Sequence, residues 1–262
     1  MVQLSAKHFL LLSPLLLTAC GGDDSDISEG EPTPRSAETV FVNLVSDTTD
    51  GMLNFDIMES EASINSVTSV AFQDVSGQET INWDATDPGM GYFDFSAQNA
   101  NTGTTVIEPT AKEIPDNTDF YSIAMGSEQP INDDYAAQFV LLERNSSELS
   151  DGTAEFTIVH AIANLNFGIN AYICRGTTEI AAIKNAFYRD YKISGEYIPQ
   201  AEDRLVVSKI SANANCINKI GAAYDAPLDV PADTRQLIFI SADQNDDNQV
   251  HIVVDQEYPN LN

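Results

Sequence analysis

Few groups in this chain could do chemistry, and the setting of each decides its use. Past residue 20 there are two histidines, His160 and His251. A serine or cysteine nucleophile would need one of them beside it, with an acid orienting the ring. His160 ends the apolar stretch Phe156-Thr157-Ile158-Val159 and His251 begins another at Ile252-Val253-Val254, so both belong inside strands. G-x-S-x-G, H-E-x-x-H and a glycine-rich phosphate loop are all missing. A strand histidine without those companions is read as structural, and no catalytic residue is assigned. The alternative, an envelope hydrolase or metal-dependent enzyme, would need a site built from dispersed loops.

The acids invite a calcium reading at one place, Asp243-Gln244-Asn245-Asp246-Asp247-Asn248. Asp243, Asn245 and Asp247 repeat the alternate oxygen ligands of a calcium loop. Asn248 stands where that loop needs glycine, however, and Val254 where it needs a bidentate glutamate. The run also lies between two strands, where Asn and Asp are ordinary turn residues. A hairpin turn is expected, with millimolar calcium binding at most and no cofactor. A second run, Phe187-Tyr188-Arg189-Asp190-Tyr191-Lys192, sets aromatic rings beside charges, as sugar or protein contacts do. Sheet packing explains it as well, and is preferred here as it is for Trp83.

Charge narrows the partners. Twelve Lys and Arg face 40 Asp and Glu, for a net charge of -28 over 262 residues. Phosphate contacts need clustered basic residues, so nucleic acid is excluded as a partner, and so is lying flat on anionic lipid. The acids are read as solubility in salty water rather than as calcium ligands.

The third chemical feature is Cys20. Lys7 precedes an apolar core from Phe9 to Leu17, and Leu17-Thr18-Ala19-Cys20 closes it. The core is too short to span a bilayer but fits a signal peptide over 1–19. The tetrapeptide resembles the bacterial lipobox. That resemblance implies a diacylglyceryl thioether and an N-acyl chain on Cys20, enough for stable anchoring. Gly21, rather than Asp, follows the cysteine, which by the same resemblance favours the outer membrane of a Gram-negative bacterium, periplasmic or surface-facing. Residues 20–37 hold Gly, Ser, Pro and acids with one large apolar residue, and read as a disordered tether. In an oxidising compartment the remaining pair, Cys174 and Cys216, is expected to form a disulfide.

The elements that must position these groups are strands. Thr39–Val45, Leu53–Ile57, Thr80–Trp83, Tyr92–Phe95, Thr104–Glu108, Phe120–Met125 and Gln138–Glu143 are short, rich in β-branched or aromatic residues, and separated by turn signals. The second half repeats the first. Phe156-Thr157-Ile158-Val159-His160 answers Phe41-Val42-Asn43, and Ile169–Ile173 answers Leu53–Ile57. Asp233–Ile240 answers Asn117–Ala124, and Val250–Asp255 answers Gln138–Glu143. The expected fold is all-β: two tandem immunoglobulin-like antiparallel β-sandwich domains, 38–146 and 152–262, joined through a polar boundary.

At this level the chain resembles the bacterial domain-of-unknown-function 4397 family, whose repeats run from an apolar strand into His-Ala-Ser-Pro and on to Val-Asp-Val-Tyr. Ile158-Val159-His160-Ala161 and Ile169-Asn170-Ala171-Tyr172 match these elements in the second half. In the first, Asn43 replaces the His and Phe55-Asp56 the last pair; the Ser-Pro is missing from both. The resemblance implies fold and envelope location, without chemistry. The expected role is therefore binding, adhesion or scaffolding in the envelope. The partners would be the membrane through the lipid and an unidentified envelope or extracellular protein or glycan.

Overall fold

The computed structural model describes residues 33–48, 51–85, 90–145, 147–163, 167–243 and 246–257. Among these residues there are sixteen strands, with short 3-10 turns at Asp133–Tyr135 and Ile210–Ala212. The first half contributes β1 (Thr33–Val45), β2 (Met52–Glu59), β3 (Ala62–Ala71), β4 (Val75–Ala85), β5 (Met90–Asn99), β6 (Thr105–Pro115), β7 (Asp119–Gly126) and β8 (Gln138–Glu143). The second contributes β9 (Ala154–His160), β10 (Ile169–Arg175), β11 (Thr178–Ala186), β12 (Tyr191–Ile193), β13 (Asp203–Lys209), β14 (Tyr224–Pro227), β15 (Thr234–Asp243) and β16 (Asp246–Glu257).

Each half is a sandwich of two four-stranded sheets, and the strand order of one is the order of the other. The sheets β4-β1-β7-β8 and β3-β2-β5-β6 form the first sandwich; β12-β9-β15-β16 and β11-β10-β13-β14 form the second. The sheets are antiparallel except at β1–β7 and β9–β15, which run parallel. These pairs join strands far apart in the chain, where no tight turn dictates opposite directions. Phe41 stacks on Phe55 at 4.9 Å in the first core, with Phe139 edge-on to both and to Phe95, and Trp83 meets Phe93 edge-on at 5.5 Å. The second core is mostly aliphatic, built on Ile158, Ile173, Leu205, Val207 and Ile238, with Phe156 and Tyr197 edge-on at 6.2 Å.

The sandwiches do not stand apart. A further apolar cluster joins Val40, Val42 and Leu44 of β1 and Tyr121, Ile123 and Met125 of β7 to Val159 of β9 and to Leu237 and Phe239 of β15. Tyr121 and Phe239 meet edge-on at 6.4 Å. The sheet β4-β1-β7-β8 therefore lies against β12-β9-β15-β16 as an inner pair, and residues 32–262 form one compact unit. This is why β1, β7, β9 and β15 read as near-continuous apolar runs: both of their faces are covered. β2, with one face open, alternates strictly between buried and half-buried positions.

The repeat extends to backbone devices. Ser69 and Asn185 both sit at left-handed φ, 58° and 57°, and their N–H groups donate to Asn54 Oδ1 and Asn170 Oδ1, each at 2.9 Å. Asn117 and Asp233, also left-handed, donate to Ser36 O and Thr153 O. Thr118 and Thr234 close the same turns by donating to the carbonyls of Pro115 and Pro231.

The register makes one of the sequence matches specific and corrects another. Asn43 pairs with Ala124 and His160 with Ile240, so within Phe156–His160 it is His160 that corresponds to Asn43, and Ile158 to Phe41. A shift of two residues keeps every side chain on its face, so the apolar pattern alone leaves this register open. Ala124 pairs Phe139 and Ile240 pairs Ile252, so the match of β16 to β8 is out by one. A second correction concerns the tether. β1 starts at Thr33, because Ala37 is buried, Thr33–Ala37 pair with Ile81–Ala85, and Arg35 holds Asp116 at 2.6 Å. That guanidinium keeps the Asp116 carboxyl below the usual carboxylate range.

Candidate functional site

Parallel pairing of β1 with β7 and of β9 with β15 brings the connections that follow them to the end of each sandwich opposite Thr33. Side chains crossing between the halves set the two ends side by side. Gln73 Nε2 donates to Ser241 Oγ at 3.1 Å, and Arg189 Nη2 donates to Ala136 O at 3.3 Å. Residues 46–48 and 127–137 of the first sandwich and 161–163, 167–168 and 187–190 of the second thus share one loop-built end.

That end is fastened from within. Asp47 accepts from Ser127 Oγ and Glu128 N, both at 2.6 Å, and from Gln129 N at 2.9 Å. Gly126 makes the close approach that follows: at φ 123° its α-carbon faces the Ala136 backbone, and a Cβ there would lie 2.7 Å from Ala136 O. Asn132 caps the 3-10 turn through Asp134 N.

The aromatic run of the second half forms a tight turn at the seam. Asp190 N donates to Phe187 O, Phe187 N donates to Asp190 Oδ2, and Arg189 N donates to His160 O. Arg189, at φ 69°, is sent across onto the first sandwich, where Gln138 turns its amide oxygen to the same guanidinium. The guanidinium lies 4.8 Å from the Tyr188 ring, and Tyr188 lies 5.3 Å from Tyr135. Tyr188 and Arg189 are thus seam residues. Phe187 (53% exposed) and Tyr191 (52%) remain open to solvent, as does Ile131 in the first sandwich.

His160 is buried and engaged through both ring nitrogens. Nδ1 accepts from Ile162 N at 3.3 Å, which leaves Nε2–H to donate to Phe167 O at 3.1 Å. Burial pushes its pKa down to about 4 despite the Phe167 carbonyl, so the ring is neutral at pH 7. Asn43 performs the same service in the first half: its Oδ1 accepts from Val45 N, and its Nδ2 donates to Gly51 O and Val70 O. His251 stands opposite Ser241 in the β15–β16 ladder, in a different strand from His160.

Cys174 and Cys216 form a disulfide across a Cα–Cα distance of 5.3 Å. It fastens the long β13–β14 connection onto the outward face of β10 and β13, over Tyr172 and Val206. Of the calcium candidates, Asp243 and Asp247 belong to β15 and β16, and Asn245 lies outside the described residues. Cys20 lies outside them too. Among the described residues no three His, Cys, Asp or Glu side chains are grouped to hold a metal ion, and no helix is long and apolar enough to cross a membrane.

One feature escaped sequence reading. Inside the stapled connection Asn215 Oδ1 accepts from Ile217 N and Asn218 N, while Asn218 Oδ1 accepts from Ile220 N. This small scaffold holds Ile217 (81% exposed) and Ile220 (85%) outward. Its signal was the spacing Asn-x-x-Asn beside a bonded cysteine, with apolar residues in a loop.

No family model and no curated protein matches the chain. Among solved structures, it is similar to a family 26 carbohydrate-binding module of Eubacterium rectale Amy13K, in complex with maltoheptaose, at 10% identity and a TM-score of 0.25, covering 86% of this chain and 98% of that one. It is also similar to the tip fimbrial protein Mfa3 of Porphyromonas gingivalis at 10% identity and a TM-score of 0.21, covering 86% and 99%. The Bacillus anthracis TIE protein gives 12% identity and a TM-score of 0.20, with 28% of its length covered. At such scores the strand order of the chain itself defines the fold.

Proposed function

We propose that this chain is a bacterial envelope lipoprotein that acts as a binding or adhesion module, anchored through acylated Cys20 and engaging its partner at the loop-built end. One observation carries the proposal. β1 begins at Thr33, and the connections that unite the two sandwiches lie at the opposite end of that strand. A chain tethered ahead of Thr33 points this end away from the membrane. Variable connections on a rigid sheet frame are where binding residues are disproportionately found. His160, with both nitrogens on backbone groups, has no role left as a general base, and this favours binding over hydrolysis. Kinship with the domain-of-unknown-function 4397 family belongs to the same proposal, supported by the matched register of Asn43 and His160.

Two measurements test this reading. Cys20→Ala should move the protein from the membrane fraction to the soluble fraction, and continued detergent dependence would remove the anchor. On glycan and matrix-protein arrays, Phe187→Ala should reduce whatever binding the parent shows by about tenfold, the weight of a modest aromatic contact. Binding that survives Phe187→Ala but is lost on substitution at the Thr33 end would place the site elsewhere.

A further inference from the structure

The charge of the molecule is distributed unevenly. Residues 33–145 carry three basic side chains against nineteen acids, whereas 146–262 carry eight against sixteen. The contrast is sharpest between the two outward sheets. On β3-β2-β5-β6, Glu59, Glu108 and Glu113 are exposed, and Lys112 turns its ammonium inward to Phe139 O at 3.1 Å. On β11-β10-β13-β14 the charges are matched: Lys184 with Glu179 at 3.1 Å, and Arg204 and Lys219 with Asp225 at 2.8 and 3.7 Å. From Arg204 to Tyr224 the chain has three basic residues and no acid. Ile217 and Ile220 project from this neutral ground.

From this charge pattern we infer that the stapled face is a self-association surface, on which a second copy of the chain packs its own Ile217 and Ile220 in a two-fold contact. Two chains of net charge -28 repel wherever acids meet, and this face lets them touch with paired charges only. It also places the acid-rich sandwiches at the far ends. The acid-rich outward sheet of each is then separated from the contact by roughly three sheet spacings of about 10 Å, several Debye lengths at physiological salt. A two-fold contact is self-complementary and closes on itself, as a patch of paired charges and isoleucines allows. The disulfide and the Asn215 and Asn218 bonds fix the loop beforehand, and isoleucine is stiff at χ1, so little freedom is lost on docking.

The test is sedimentation equilibrium of the full chain carrying Cys20→Ala, at physiological salt and up to about 0.5 mM. A monomer–dimer equilibrium is expected, with a dissociation constant on the order of 100 µM, suiting a small transient interface. Ile217→Asp with Ile220→Asp should weaken it at least tenfold. Met90→Asp with Tyr92→Asp adds the same charge on the acidic outward sheet and should change it less than twofold. A monomer at every concentration, equal effects of both pairs, or growth beyond dimers would each overturn the inference.

Discussion

The two sandwiches share strand order and turn chemistry, yet they solve two local problems differently. Where β1 turns towards β2, the first satisfies the backbone with Asn43, which cannot titrate, and the second with His160, which can. On the outward sheets the first ends β5 in a short turn at Asn99–Thr104, and its positions Asp56 and Ser96 are polar. The second replaces them with Tyr172 and Val206 and covers them with the disulfide-bound connection. The lesson is that the ladder and the bulges define the architecture, while the face away from the seam is free to diverge. Sensitivity to acid and to reductant is thereby concentrated in the second half.

The largest way to break this contrast is to remove the staple. Cys174→Ser with Cys216→Ser opens a bridge between residues 42 apart, and urea unfolding should report a loss of about 4 kcal/mol in the chain-entropy model. A loss below about 1 kcal/mol would mean that packing over Tyr172 and Val206 holds the connection without the bond.

The next effect belongs to His160. In the unfolded chain its ring titrates near 6.5, and in the folded protein at about 4. Between those values only the unfolded chain takes up the proton. Its contribution is therefore complete above about pH 6.5, falls as pH drops towards 4, and levels off below, by about 3 kcal/mol in all. His160→Asn, which installs the residue of the first half, should flatten this part of the stability–pH curve. An unchanged slope would show that the ring is protonated in the folded state.

The smallest effect concerns the paired left-handed residues. Asparagine tolerates that conformation better than serine. Ser69→Asn should therefore stabilise by roughly 0.5 kcal/mol and Asn185→Ser destabilise by a similar amount. Equal and null effects would remove backbone strain from the comparison.

Much of this was legible in the residues. Alternation at Leu53–Ile57 gave its strand and its buried face, and Asn117–Ala124 against Asp233–Ile240 gave the repeated strand. The cysteine pair followed from the expectation of an oxidising compartment. β3 was not legible, because Ser63, Ser66, Thr68 and Ser69 put polar groups on both of its faces. The parallel pairs were hidden too, since direction is set by long-range return of the chain. The seam was written in the runs of β1, β7, β9 and β15, whose lack of alternation means two covered faces. The stapled isoleucines were not legible, because exposure of an apolar loop residue depends on which sheet the loop lies against.

The central claim is that the apolar seam makes the two sandwiches one body. Trp83 is the only tryptophan, and it lies in the first core, far in sequence from the disulfide. Urea unfolding followed by its fluorescence should coincide with unfolding followed by far-UV ellipticity. Both midpoints should fall together in the Cys174→Ser, Cys216→Ser variant. A Trp83 transition that stays in place while ellipticity shows a separate, earlier step would mean that the halves fold independently.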